Sequence, residues 1–557
     1  MKTQNSLPFY IGLNLLLIPF ISLLLTTIYW FCHSTINATI FPLACLIAFI
    51  LFYLFRNNLS LTIKKIVSLS LISLLLILLF VFISYIIYDY SYDGLGYHQN
   101  IIYSFLQGWN PIYKSNSVFA FPSNELWVNH YAKGLETMAA VIAATFNNLE
   151  CGKTINFMLI SSSCFFAYDF IHDYLHNISI KKRVLISLLL SIAPIIVCQF
   201  FTFYIDWALY TLLLILGITL YRLEHTKKSF IEYFILTIIV AYAFSIKFNI
   251  AFWICFVLLI YSVWLLLSKK YNIIKNGTIF VLIGLFIGVL CFSFNPYITN
   301  MLTGHHILYP LMGEGSVDIM NGNTPGILKN KNRISSAFIS LFSRPNNLHP
   351  YSYPYKVSKN NIIDSGKTDS RMGGFGLFFI EILVLSLIVF ILSCKENKKA
   401  YYTYMVLLFI LFCSLLILPS GWWARYVSFF YFFPCLCVLY SERYGMKFPF
   451  LKNILLVLMV CNVLVSLAVA SGGALMHRMR VDYYLELLDV SQPVRMRNEN
   501  PSFKYKLEER NIEVQVCDTA TYKLNMFGPN VFVVESDLEF NKIQKKDFFF
   551  SIYSKVK

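Results

Sequence analysis

The residues of this chain that could do chemistry gather at the borders of its apolar runs. One such border reads Tyr88-Asp89-Tyr90-Ser91-Tyr92-Asp93-Gly94-Leu95-Gly96-Tyr97-His98-Gln99. Asp89 and Asp93 are four positions apart. A continued helical turn would set both carboxylates on one face. Gly94 and Gly96 loosen the backbone after them, and Tyr97 and His98 follow at once. A carboxylate at a partly dry interface has a raised pKa and can serve as a general base. The plain alternative is a solvated loop with two ordinary acids.

Further borders carry single charges. Asp206, in Phe203-Tyr204-Ile205-Asp206-Trp207, sits inside an apolar hairpin, where an acid is costly and therefore a functional candidate. Lys247 (Ser245-Ile246-Lys247-Phe248-Asn249) and Arg425 (Gly421-Trp422-Trp423-Ala424-Arg425-Tyr426) are lone cations at the starts of apolar runs. Each could meet a phosphate at headgroup depth, the arginine bidentately with Trp423 beside it. Each could instead be a snorkelling or interfacial anchor. The stretch Trp127-Val128-Asn129-His130-Tyr131-Ala132-Lys133-Gly134 mixes aromatic faces with polar edges. It suits a sugar platform as well as an aromatic belt. Later, His305 and His306 could bind a metal or a phosphate, although adjacent histidines are a weak metal signal. Arg371, followed by Met372-Gly373-Gly374, could form an anion nest.

The elements that must position these residues are apolar helices. Of 557 residues, 57% are hydrophobic and 13% charged, against about 25% charged in a soluble domain. Runs long enough to span a bilayer recur near 8–31, 37–55, 67–88, 154–172, 184–203, 207–222, 230–246, 249–267, 277–294, 375–393, 401–418, 426–441 and 449–471, about 13 spans by length. The expected fold is thus an all-α polytopic membrane protein, with a transmembrane domain over 1–470. Basic clusters at Arg56/Lys64/Lys65, Lys181–Arg183, Arg222/Lys227/Lys228, Lys269/Lys270/Lys275, Lys395/Lys398/Lys399 and Arg443/Lys447/Lys452 all fall on one side. With the N-terminus inside, that side is cytoplasmic. The net charge of +16 therefore reads as topology rather than nucleic-acid binding. Gly134–Phe146 is too short to span and is expected to be re-entrant or interfacial. The outer regions are 89–153, 297–374 and a tail over 471–557. Strand-like runs at 512–517 and 531–534 make the tail a small α+β segment. The 13 cysteines are scattered and imply neither a disulfide framework nor a zinc site. The first apolar run is too long for a signal peptide and reads as a retained anchor.

This arrangement resembles the GT-C class of membrane glycosyltransferases. The likeness rests on the acidic first outer loop (Asp89, Asp93) and on the segment bearing His130 to Gly134. It rests also on the second acid, Asp206, and on the Ser-Ile-Lys-Phe-Asn and Trp-Trp-Ala-Arg-Tyr stretches. Two features depart from the class: three spans precede the acidic loop, and Ala132-Lys133-Gly134 stands where a paired proline is usual. The resemblance implies a polyprenyl-phosphate-sugar donor and inverting transfer. The acceptor would be an envelope glycan, lipid or protein, and the site would face the outside of a bacterial inner membrane. Asp93 or Asp89 would be the base and Lys247 and Arg425 the phosphate contacts. Tyr97, His98, His130, Lys133, Arg371, His305 and Trp423 would bind substrate. Asp206 would shape the acceptor pocket or hold a divalent cation such as Mg or Mn. The alternatives are an O-antigen-type polymerase or ligase, and a lipid-linked glycan flippase or other transporter.

Overall fold

The computed structural model describes residues 6–116, 122–176, 178–225, 230–346 and 356–486, with 493–496, 504, 507–516, 522–523 and 532–534 of the tail. Lys227 and Lys228, expected in a basic cluster, lie outside the described residues. The structure is 73% helical. Seven helices are long and apolar enough to cross a membrane: Leu7–Phe31, Ile63–Tyr85, Leu149–Tyr174, Trp207–His225, Phe248–Leu267, Tyr271–Phe292 and Pro449–Asp482. The remaining expected spans coincide with shorter helices, among them Ile40–Leu54, Phe230–Ile246 and Phe379–Ile391.

Burial sorts the seven into two kinds. Leu7–Phe31 and Trp207–His225 are each 83% buried over their most apolar window, whereas Tyr271–Phe292 is 11% buried. The outer helices show Leu75, Phe82, Leu259, Leu282 and Phe286 to the surroundings. Water would penalise so continuous an apolar surface, and a bilayer would not. Without a hydrophobic drive between helices in lipid, association relies on close approach at small residues. The structure does this twice. Ser162 donates from its hydroxyl to the Gly12 carbonyl at 2.7 Å, where Leu7–Phe31 crosses Thr154–Tyr174. Gly284 and Gly288, spaced as in GxxxG, lie against Thr237, Val240 and Ala241 of Phe230–Ile246 with no room for a Cβ.

Several expectations change in detail. The run at 184–203 is two helices, Ile180–Ser191 and Pro194–Gln199. Pro194 forces Ala193 into extended backbone (φ −97°, ψ 157°) and so ends the first helix. The chain then reaches Asp206 as irregular backbone. The third helix stops at Tyr85, so Asp89 and Asp93 do not share a continued turn; helical backbone resumes at Tyr92 and passes into a π-turn at Gly94. Gly134–Phe146 is buried from Gly134 to Ala143. It is enclosed by the bundle and offers lipid no apolar face. The last helix, Pro449–Glu486, has 38 residues, about 57 Å at 1.5 Å per residue. It runs past the expected boundary at 471, because loss of apolar character does not end a helix.

The tail carries four short strands, β1 (Val494–Met496), β2 (Val514–Val516), β3 (Tyr522–Lys523) and β4 (Phe532–Val534), in the order β2-β1-β4-β3. Two of these match the expected runs. The tail docks on the first polar stretch: Glu509 accepts from the Leu149 amide at 2.9 Å and from the Asn148 side chain at 3.1 Å. Arg510 reaches Asp482 of the last helix at 2.7 Å.

Arg222, read from sequence as a loop charge, is instead buried between Asp169 (2.7 Å) and Glu232 (3.2 Å), against the Phe9 ring. Removing one partner of such a group strands the rest. Arg222→Met should therefore cost about 3–5 kcal/mol of stability. Denaturant unfolding of the purified protein in mixed micelles measures this, and an unchanged midpoint would refute it.

Candidate functional site

Irregular backbone delivers the site. Asp93 is the exception, on the helical backbone that starts at Tyr92 and runs into the π-turn Gly94–His98; Asp206 directly precedes Trp207–His225. Lys247 caps the start of Phe248–Leu267. Arg425 lies on the short 3-10 turn Ala424–Tyr426, where a continuous span from 426 was expected. These four meet. The Arg425 Nη1 is 2.9 Å from the Asp93 Oδ2 and 3.6 Å from the Asp206 Oδ2. The Lys247 Nζ is 2.5 Å from the Asp206 Oδ1. A further acid, Asp369 from the long loop, stands 3.5 Å from the Arg425 Nε. Asp369 also accepts from the Trp423 indole N–H at 2.7 Å and faces the Arg371 Nε at 3.4 Å. The guanidinium of Arg425 lies 4.1 Å from the Trp423 ring centre and 5.6 Å from that of Tyr204.

The electrostatics follow from burial opposed by partners. Burial alone would push the Asp206 carboxyl up, but Lys247 and Arg425 outweigh it and hold it below the usual carboxylate range. Burial also works against the charges on Lys247 and Arg425, yet their acidic neighbours keep both above their ordinary values. Asp369 goes the other way. Burial and the charge of Asp93 push its carboxyl up, against the pull of Arg425 and Arg371. Burial raises the phenols of Tyr97, Tyr131 and Tyr204, with Asp93 and Asp206 adding to each, which places all three around the cluster.

Hydrogen bonds from behind hold the pieces in register. Asp89 is fully buried and does not face Arg425. Its carboxylate accepts from the Ser91 amide at 2.8 Å and the Phe203 amide at 3.1 Å. A Cβ on Gly94 would overlap that carboxylate, so the turn bearing Asp93 closes directly over it. Asp89 therefore ties the Asp93 segment to the Asp206 loop, so the two acids expected to share one face are turned to different partners. Gln199 does the same between two other pieces. Its Oε1 accepts from the Trp207 amide at 2.9 Å, and its Nε2 donates to the Thr368 carbonyl at 3.2 Å. Glu150 accepts from the Asp89 amide at 3.2 Å and pairs with Lys153 at 2.5 Å.

The remaining expected site residues are engaged by partners of their own. His98 pairs with Glu136 at 2.6 Å inside the protein. His130 bonds to Asn300 at 2.7 Å, with His305 and Tyr309 around its ring. The Lys133 ammonium donates to the carbonyls of Tyr131 (2.5 Å) and Asn129 (3.3 Å) and to the Asn295 side chain (2.5 Å). Among the described residues, the bonds and ring contacts of His130, Lys133 and His305 stay away from the cluster. Arg371 forms no nest; it donates to the Asn323 carbonyl at 2.6 Å and covers the Trp423 ring. Sequence reasoning missed Asp369, Tyr204 and Gln199. Asp369 sits two residues before Arg371 in a polar loop, where nothing marks one acid out from another.

No family model, curated protein or solved structure matches this chain. Among the described residues, no group of three His, Cys, Asp or Glu side chains is placed to hold a metal. Both oxygens of Asp206 already face cations, so a divalent ion does not fit there.

Lys133 supplies a pH test. Burial pushes its ammonium down to about 7, below the ordinary lysine value. The unfolded chain then binds more protons than the folded one between that value and the ordinary one, so stability rises with pH in that window. The unfolding midpoint should climb from about pH 7.5 to about pH 9.5, and Lys133→Met should flatten the climb. An equal slope in the variant would assign the effect to another group.

Proposed function

We propose that this protein is a membrane glycosyltransferase of GT-C type, which moves a sugar from a polyprenyl-phosphate donor to an acceptor hydroxyl. The observation that carries this reading is the convergence of Asp93, Asp206, Asp369, Lys247 and Arg425 from five distant stretches of chain. Substrate of this kind needs an anion grip near the lipid, a base beside it, and aromatic walls for a sugar. Lys247 and Arg425 supply the first and Asp93 the second. Tyr97, Tyr131, Tyr204 and Trp423 supply the third.

On this reading Asp93 is the base, because its side chain is 20% exposed whereas that of Asp206 is 2% exposed. The Asp93 carboxylate takes the proton from the acceptor hydroxyl. The oxygen attacks the anomeric carbon from the face opposite the phosphate, through an oxocarbenium-like transition state. The bond to the phosphate oxygen breaks, and its electron pair leaves with the polyprenyl phosphate. Lys247 and Arg425 meet the charge that develops there. Asp206 holds both cations at their posts, and no step runs through a metal. The acceptor is an envelope glycan, lipid or protein, and the site faces the exterior of a bacterial inner membrane. The count of about 13 spans belongs to the same reading.

Asp93→Asn keeps the shape and removes the base. Transfer should fall by about 10²–10⁴-fold while the protein still inserts and elutes as native in detergent. The assay offers a panel of polyprenyl-phosphate sugars and follows release of free polyprenyl phosphate. A fully active Asp93→Asn would remove Asp93 as base. Passage of the intact donor across the membrane with no release would instead favour a flippase.

A further inference from the structure

The cluster is charge-balanced on its own. Asp93, Asp206 and Asp369 contribute three negative charges, and Lys247, Arg371 and Arg425 contribute three positive ones, so the sum is zero. A sugar phosphodiester brings one more negative charge. Where Asp206 and Arg425 are nearly removed from water, an unmatched charge is expensive. A proton on one of the acids offsets it at least cost. Asp206 is the wrong acid, because each of its oxygens faces a cation. Asp93 must stay ionised to act as base. Asp369 has the loosest cationic contacts of the three, 3.4 Å to Arg371 and 3.5 Å to Arg425. Among the described residues, the charged and titratable groups facing it are Arg425, Arg371, Asp93 and Tyr204, and the Trp423 indole donates a hydrogen bond to it.

We propose that Asp369 couples donor binding to proton uptake: it is ionised while Arg425 is shared among the acids, and it binds one proton when a lipid-linked phosphodiester claims that guanidinium. This rests on the reading of the cluster as a lipid-phosphate site. Its carboxyl is already pushed up by burial and by Asp93, and withdrawal of Arg425 pushes it further in the same direction. The binding step balances, since one anion and one proton enter and the net charge stays at zero. The chemical step is neutral too. The acceptor proton moves to Asp93 as the bonding electron pair leaves with the phosphate, so both charges remain inside the site. Up to and including transfer, binding alone exchanges a proton with solvent; as the polyprenyl phosphate leaves, Asp93 gives up the acceptor proton and Asp369 the proton it took up. Asp369 acts as a positioning residue through Arg425 rather than on the reacting atoms.

The test uses the full chain in lipid nanodiscs and undecaprenyl methyl phosphate, a phosphodiester with no titrating proton near neutral pH. Calorimetric titration in two buffers of different ionisation enthalpy reads the protons taken up per ligand. The native protein should take up close to one proton in the window between the free and the occupied Asp369 pKa. There Kd should rise about tenfold per pH unit. Asp369→Asn keeps an acceptor for the Trp423 indole and should bind with a flat pH profile and no uptake. Asp369→Glu should restore the uptake. Binding by the native protein without proton uptake, or equal uptake by Asp369→Asn, overturns the coupling and leaves the lipid-phosphate reading standing. Failure of the native protein to bind the phosphodiester at all overturns both.

Discussion

Arg425 is held between three carboxylates and the face of Trp423 in a place with little water. No single acid saturates it. Its contacts to Asp93, Asp206 and Asp369 run from 2.9 to 3.6 Å, each to one oxygen. Arg344 shows the contrast within the same protein. It meets Glu381 fork to fork, at 2.5 and 2.9 Å, and also donates to the Leu377 carbonyl. A guanidinium paired in that way has spent its planar donor set on one partner. Arg344 therefore reads as a strut between loop and helix. Arg425 keeps a fork that no carboxylate claims in full, and a phosphate with two free oxygens matches a fork better than three single contacts do. Burial explains why the arrangement needs all three acids even so, because a lone buried guanidinium would be prohibitively costly.

Apart from Asp93, the acids and cations come from helix ends and irregular backbone, which on their own could not hold them to a few tenths of an ångström. Rigidity is supplied from behind. Asp89 spans from the Ser91 amide to the Phe203 amide, and Gln199 spans from the Trp207 amide to the Thr368 carbonyl. These two side chains link the first loop, the Asp206 loop and the long loop. Gly134 has no room for a Cβ against Ser245, so the buried Gly134–Phe146 helix abuts the turn that ends in Lys247. The backbone pieces that carry Asp93, Asp206, Asp369 and Lys247 are thus tied together by groups without access to solvent. A misplacement of even 1 Å is worth about a hundredfold in rate for oriented chemistry, so such ties matter to a site of this kind.

The sequence shows the cluster in part, and the reason is physical. Asp93, Asp206, Lys247 and Arg425 are charges beside long apolar runs, and that contrast makes them visible without a fold. Asp369 lies among polar residues and has no such contrast. Asp89 was visible for the same reason as Asp93, but spacing cannot say that the helix stops at Tyr85 and turns the two carboxylates to different partners. His130, Lys133 and His305 share the aromatic, polar character of a sugar site. The fold spends them on Asn300, Asn295 and Tyr309. The positions of the helices were legible from apolar length alone. Their ends were not, because Pro194 and the 3-10 turns at Ala424–Tyr426 and Ser428–Tyr431 act through backbone geometry rather than hydropathy.

One helix shows why only one end of the bundle is a candidate for chemistry. Trp207–His225 has Asp206 just before its first turn and Arg222 in its last, so each charge complements the helix dipole. The helix is about 28 Å long, which puts the two charges at opposite ends of the bundle. At the far end Arg222 is closed in by Asp169, Glu232 and the Phe9 ring, and the Ser6 amide adds a bond to Asp169 at 3.3 Å. The side chains of that triad are between 2% and 6% exposed, and no anion can enter without dismantling it. At the near end Asp206 is as deeply buried, but Asp93, Asp369 and Lys247 are 20%, 17% and 13% exposed. The near cluster thus combines a dry centre with a wet rim. A site that admits a charged lipid headgroup and then holds its charge out of water needs both, and the far triad has only the first.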